Sequence, residues 1–451
     1  MRANLVWRDP RSLLLMGLAI REMLTWWSGH PFDMEVWIRN AYFVSGGISP
    51  YNFLPPVSGL SFAFLNRSIG SVGYLPLWSL TLAALFRFYS IVAGGNRFVL
   101  YFLVKQPGVL GDVCLGYMLY QTVLKCGGTR YAALAAMRFW VFFPFGIVVS
   151  AVWGQFDALV VASFFYFQLA ERPVRRCASL AVGIFLKLVP VLFVPYLALR
   201  NRSTDCKTQM AALALPATLT LLIFSLANWD FGPFTGTLTS QVLGRVVIGM
   251  NYMNLFGTPF TYPFFSRIGY FYVVIHLLWI PGVAVASLVA LRLFPSSSMQ
   301  HSTQALLLIL VAFFLTRWGV NEQLMIYLFP LMLVDVLVWH PERRLLFEFT
   351  WILGIIFLAV RSDLFLVFAG PVFPGAMDLA FRLQDINNPT IFVSLYYAAI
   401  YLLGTLFSIF LVQIALVLIH PSRDSTPWLL RPVVRRKAPL SILSSDGEGD
   451  P

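Results

Sequence analysis

Apolar residues in this chain come in blocks of about 20, the length a helix needs to cross a bilayer. Blocks at 72–93, 131–150, 152–170, 209–227, 268–293, 303–318, 323–339, 345–369 and 391–419 predict membrane spans. Residues 11–28 form a first span interrupted by Arg21 and Glu22. No small-x-small cleavage site follows them, so they read as an uncleaved helix rather than a signal peptide. Two further blocks carry internal breakers. Residues 98–125 contain Pro107, Gly108 and Gly111, and residues 177–199 contain Pro190 and Pro195. Both have basic flanks, Lys125 to Arg130 and Arg172 to Arg176 with Arg200 to Lys207. Keeping those flanks on one side predicts that each block rises and returns as a broken hairpin, which membranes tolerate around a protein cavity.

The predicted fold is therefore all-α, a polytopic transmembrane bundle over residues 1–430. A large first loop at about 29–71 carries a short interfacial helix at Val36 to Val44, stopped by Gly46 and Gly47. Basic residues orient the bundle. About two-thirds of the 32 Lys and Arg, Arg87 and Arg97 among them, fall on one predicted face, which the positive-inside rule makes cytoplasmic. The first loop then lies outside. Residues 431–451, with Arg435, Arg436 and Lys437, read as a polar, disordered cytoplasmic tail.

Composition agrees with the pattern. Hydrophobic residues make up 59% of the 451, charged residues only 12%, and mean hydropathy is +0.76. A soluble domain carries roughly 25% charged residues. The net charge of +12 is scattered between apolar blocks, which argues against a nucleic-acid partner and for membrane lipids as surroundings. Cys114, Cys126, Cys177 and Cys206 form no CxxC pair and have no neighbouring His, which disfavours zinc and a disulfide framework.

Chemistry concentrates after the first span. Asp33 and Glu35 stand at the predicted water boundary. Asp33 has two readings: a helix cap, or a carboxylate that takes a proton from an acceptor hydroxyl. Glu35 can bind a metal or hydrogen-bond an acceptor. Farther on, Asp112 and Lys105 form either a structural pair or part of a site. Asp157 is either a cap or an acceptor-sugar contact. Lys187, at the predicted hairpin apex, either neutralises Asp157 or binds phosphate as a point charge. Arg317 and Glu322 flank an outer turn that is either a loop salt bridge or a phosphate and sugar contact with Asn321. The stretch 228–267, rich in aromatics and amides, suits sugar binding or a plain interfacial loop.

Asp33-Met34-Glu35, followed by Gly46-Gly47-Ile48-Ser49-Pro50-Tyr51, resembles the first external loop of the GT-C class of integral-membrane glycosyltransferases. Lys105-Gln-Pro-Gly-Val-Leu-Gly-Asp112, Trp153-Gly-Gln155-Phe-Asp157 and Lys187-Leu-Val-Pro190 look like further elements of that class in the same order, with a looser likeness at Asn321-Glu-Gln323. The pattern is most similar to the branch of the first mannosyltransferase of GPI-anchor synthesis and related prokaryotic enzymes. The resemblance implies transfer of a hexose, mannose foremost, from polyprenyl (dolichyl) phosphate to an extracytoplasmic glycolipid or glycan acceptor, with inversion. It implies Asp33 and Glu35 as catalytic residues. It implies Asp112, Gln155, Asp157, Lys187, Asn321 and Glu322 as substrate-binding residues, which Arg317 joins as the phosphate contact read from its place in the outer turn. A divalent cation stays open, with Asp33 and Glu35 as its ligands. The site of action is the plasma membrane in a prokaryote and the endoplasmic reticulum in a eukaryote. The rival reading is a transporter or lipid flippase, which also uses broken helices and embedded charges. A non-catalytic subunit of a membrane complex is a third.

Overall fold

A computed structural model describes residues 9–62, 66, 68–69, 73–200, 205–243, 250–257, 271–296, 298–361, 368–373, 375, 379, 382, 391–421 and 425–428. The tail 431–451 lies outside them, as do Arg67, Arg245, Arg267, Asp363, Asp378 and Asp385.

The described residues are helical, with no strand; Leu54 and Ile69 form one isolated antiparallel bridge. Among the described residues six helices are long and apolar enough to cross a membrane, or seven if a bent pair counts as one span. The chain is thus a multi-pass helical membrane protein, as its hydropathy predicts.

α1 (Pro10–Thr25) opens with Asp9, whose carboxylate accepts from the backbone N–H groups of Arg11 and Ser12. α2 (Pro31–Ser45) and α3 (Pro76–Val92) follow, each with proline at its start, where the missing N–H costs nothing. α3 corrects the sequence reading of 72–93 as a span. It runs alongside α2 instead: Ser79 Oγ donates to Asn40 Oδ1 at 3.1 Å, and Arg87 Nη2 donates to the Ser45 carbonyl at 2.9 Å. Trp78 stacks on Phe156 at 3.9 Å and meets Trp37 edge-on. α2 and α3 together form a helical layer on one end of the bundle.

α4 (Arg97–Lys125) is one continuous helix of 29 residues, not a broken hairpin. Gly108 and Gly111 are packing positions, not breakers. A Cβ on Gly108 would lie 2.6 Å from the Gln155 carbonyl oxygen, and one on Gly111 would lie 2.5 Å from Leu159 Cα. Small residues let membrane helices approach backbone to backbone. Arg97 Nη1 donates to the Ser61 carbonyl within the first loop, whereas Lys125 Nζ donates to the Leu169 carbonyl at the other end of the bundle. Arg87 and Arg97 therefore belong to the Asp33 end, against the sequence reading. The two corrections cancel in chain direction: one span fewer before residue 97, one crossing fewer after it.

α5 (Arg130–Val141) and α6 (Pro144–Ile147) meet at a 44° bend, and α6 runs on as a π-helix over Val148–Trp153. Gly154, with φ of +93°, turns the chain into α7 (Asp157–Leu169). α8 (Pro173–Leu186) ends at Lys187, and a 3-10 turn leads into α9 (Val194–Arg200). Tyr196 and Arg200 reach the Phe294 carbonyl and Ser302, at the end opposite Lys187, so this stretch does rise and return as predicted. α10 (Asp205–Ala227), α11 (Phe231–Leu243), α12 (Phe271–Leu277), α13 (Trp279–Leu293), α14 (Met299–Thr316), α15 (Met325–Val334), α16 (Arg344–Arg361) and α17 (Ile391–Ile419) follow among the described residues.

Candidate active site

Asp33 sits in the first turn of α2. Its cap is His30, whose Nδ1 accepts from the Asp33 N–H at 3.3 Å. Two neutral donors converge on Asp33 Oδ2: Trp153 Nε1 at 2.5 Å and Gln155 Nε2 at 2.7 Å. The His30 N–H donates to the Trp153 carbonyl at 3.2 Å, and its ring stacks on that indole. Asp33 keeps 23% of its side chain exposed. Burial pushes the His30 imidazole below its usual pKa, and Arg361 lowers it further while Asp33 opposes both. His30 is thus neutral at neutral pH and free to act as an acceptor. Trp153 and His30 are contacts that the sequence did not single out for Asp33.

The turn that delivers Trp153 and Gln155 is locked from behind. Lys105 Nζ donates to the carbonyls of Thr25 at 3.0 Å, Ser28 at 2.5 Å and Ala151 at 3.0 Å, and to Ser28 Oγ at 3.1 Å. A cation at two helix C-terminal ends meets their dipoles favourably. Gly154 must be glycine twice over, for its positive φ and because a Cβ would sit 2.8 Å from Met34 Sδ.

Three sequence expectations change here. Lys105 and Asp112 do not pair. Asp112 is fully buried and accepts from Arg21 Nε at 2.7 Å, Ser150 Oγ at 2.7 Å and Trp140 Nε1 at 2.8 Å. It ties α1, α4, α5 and the π-helix together and is closed to substrate. Glu35, proposed as catalytic, is 1% exposed. Its Oε1 accepts from Arg39 Nε at 2.8 Å and lies 2.7 Å from Nη2, while Oε2 accepts from Ser61 Oγ. Residues two apart on a helix do not face each other, so Asp33 and Glu35 cannot hold one ion between them. No group of three metal-ligating side chains occurs among the described residues.

Asp157, Lys187 and Glu322 do gather near Asp33. Lys187 Nζ lies 2.6 Å from Asp157 Oδ1 and within 5.2 Å and 5.6 Å of the Tyr74 and Phe156 ring centres. Tyr74, Lys187 and Glu322 all feel the Asp33 charge, and Glu322 also feels Arg361. Burial raises the Tyr74 phenol, which keeps it protonated.

Beside this cluster lies a cavity of about 540 Å³. Its polar lining residues are Tyr74, Lys187, Ser287, Arg317, Asn321 and Gln323. The remainder is apolar, with Leu188, Val191, Leu192, Trp279, Val283 and Phe313 prominent. The Arg317 turn is braced by Asn251, whose Nδ2 donates to the carbonyls of Phe314 and Arg317, and by the Met250 N–H on the Val320 carbonyl. Burial draws the Arg317 guanidinium down to about 10, still protonated at neutral pH. Gln323 and Trp279 were not among the sequence candidates. Apolar residues are common throughout this chain, and an amide carries no local sign of where it points, so only the fold selects them.

No protein-family model matches this sequence, and no curated protein matches it.

Proposed function

We propose that the chain is an inverting glycosyltransferase of the GT-C kind, moving a hexose, mannose foremost, from a polyprenyl phosphate to a glycolipid or glycan acceptor. The observation that carries this reading is the cavity lined by two cations, Lys187 and Arg317, and otherwise largely by apolar side chains, with the partly exposed Asp33 near enough to act on Lys187. An amphiphile with an anionic head fits that division, and a lipid phosphate is such an amphiphile.

In the proposed step the acceptor oxygen attacks the anomeric carbon, and its proton passes to Asp33. The bond from that carbon to the phosphate oxygen breaks, and the phosphate leaves with the electron pair. Lys187 and Arg317 stabilise the charge that grows there. Trp153 and Gln155 hold Asp33 Oδ2 and aim the carboxylate. No strong general acid is needed, because phosphate is a good leaving group.

The Lys125 end carries Lys125, Arg130, Arg172, Arg175, Arg176 and Arg343, so the positive-inside rule supports an extracytoplasmic Asp33 end. A transporter needs accessible charge near the midplane. The pair deep in the bundle, Arg21–Asp112, is fully buried and saturated with bonds, which weighs against that rival.

The direct test incubates the purified protein with radiolabelled polyprenyl-phosphate hexoses and a membrane lipid extract. Label should appear in an extractable acceptor. Absence of transfer from every hexose donor would sink the reading. Cysteine labelling at Ser58 and Ser441 tests sidedness; the two should react from opposite sides.

A further inference from the structure

The donor and the lipid product of the proposed reaction differ by one charge at the same phosphorus. The donor is a diester and a monoanion. The product is a monoester whose second pKa is near ~6, by analogy with phosphorylated side chains, so it is largely a dianion at neutral pH. A cavity that simply maximised positive charge would hold its product more tightly than its substrate and stall turnover.

This cavity does not maximise positive charge. Behind Lys187, outside the lining, stands Asp157, fully buried with Oδ1 2.6 Å from the ammonium. Its other oxygen, Oδ2, is buried and accepts no hydrogen bond. Tyr327 lies near enough to feel that charge, but its hydroxyl makes no hydrogen bond of normal geometry. Lys187 is the cation in contact with Asp157, and the N-terminal end of α7, which Asp157 opens, also favours its charge. Asp33 also acts on Lys187, from the acceptor side, but of these two carboxylates only Asp157 touches the ammonium, which lies against Tyr74 as well. Glu322 feels Arg361, so that pair adds little net charge.

Resting on the lipid-phosphate reading, we propose that Asp157 is a specificity-determining residue that tunes the phosphate end of the cavity to a monoanionic diester and against a dianionic monoester. Like charge in a low-dielectric site is costly, and each added negative charge on the ligand meets Asp157 through a single cation. The consequence is product release: once the glycosidic bond forms, the lipid phosphate acquires the second charge that the site disfavours.

The test uses full-length protein in detergent at a pH well above 7, with a radiolabelled short-chain prenyl phosphate and its methyl ester. These share a chain and differ by one charge. The wild-type protein should bind the methyl diester at least as tightly as the monoester. Asp157→Asn should shift the ratio of dissociation constants toward the monoester by about tenfold or more. In turnover, the same variant should show stronger inhibition by added lipid phosphate. A wild-type preference for the monoester beyond about tenfold overturns the proposal, and so does an unchanged ratio in folded Asp157→Asn. If that variant does not fold, the wild-type ratio alone decides. Binding of neither probe to the wild type would overturn the lipid-phosphate reading itself.

Discussion

The two faces of α2 treat two carboxylates in opposite ways. On one face Asp33 meets an indole N–H, an amide N–H and a neutral imidazole, with 23% of its side chain open. On the other, Glu35 is sealed at 1% exposure against the Arg39 guanidinium and Ser61. A buried pair like Glu35–Arg39 fixes geometry but cannot accept a proton without leaving a buried cation uncompensated. A carboxylate held by neutral donors can change charge during a reaction with much less disturbance. Two residues of spacing on a helix separate a reactive site from a structural one.

Removing the charge from each face in turn should split activity from stability. Asp33→Asn should lower sugar transfer at least about 10²-fold, with lipid-phosphate binding retained. Near-normal transfer by that variant would remove Asp33 as the base. Glu35→Gln should act on folding, since breaking a buried pair costs about 3–5 kcal/mol. Its thermal midpoint in detergent should drop steeply, while transfer per folded molecule stays within about twofold of wild type, as expected for a group outside the reaction. Equal loss of transfer per folded molecule in both variants would erase the distinction between the faces.

A smaller effect is expected behind the Asp33 face. Gly108→Ala places a methyl 2.6 Å from the Gln155 carbonyl oxygen. Overpacking of this kind costs about 1–3 kcal/mol, and here it displaces a residue that aims Asp33. Transfer should fall more than binding, read as kcat against KM. A change in KM alone would argue that Gln155 serves binding rather than aim.

The smallest effect is pH-dependent. His30 is held below its ordinary pKa by burial and by Arg361. In the unfolded chain it takes a proton near ~6.5, whereas in the fold it stays neutral until lower pH. The unfolded state binds more protons in that window, so stability is intact above ~6.5 and declines as pH falls below it. The thermal midpoint of His30→Gln, which keeps an acceptor without a titrating ring, should fall less between pH 7 and pH 5. Parallel decline in both proteins would clear His30 of the effect.

Much of the architecture could be read from block lengths alone, because a bilayer demands about 20 apolar residues whatever their order. The reading failed where apolar surface meets protein instead of lipid. Residues 76–92 are apolar enough for a span, yet Trp78 and Leu82 face α2 and its neighbours in the core. Gly108 and Gly111 have the composition of a break and the function of a contact. At the site, the ordered motifs led to Asp33, Gln155, Asp157 and Lys187, which do assemble. Asp112 was misjudged because its guanidinium partner, Arg21, lies 91 positions away, whereas the partner of Glu35, Arg39, stands four residues on along the same helix at a spacing the sequence did offer. Trp153 bonds to Asp33 across 120 positions, a relation no local pattern contains.

Lys105 also bears on how the protein is made. Its ammonium is satisfied by carbonyls from two segments, one synthesised about 80 residues earlier and one about 46 later. A lysine within an inserting helix costs up to about 2.5–3.5 kcal/mol, the figure for the helix centre. When α4 leaves the ribosome, Thr25 and Ser28 already exist, but Ala151 does not. Membrane integration of α4 therefore leans on prior docking against α1, and full satisfaction waits until the bent segment α5–α6 arrives. The order of translation is thereby written into the lock: the clasp that ends up aiming Asp33 closes only when the third of its three segments has been made.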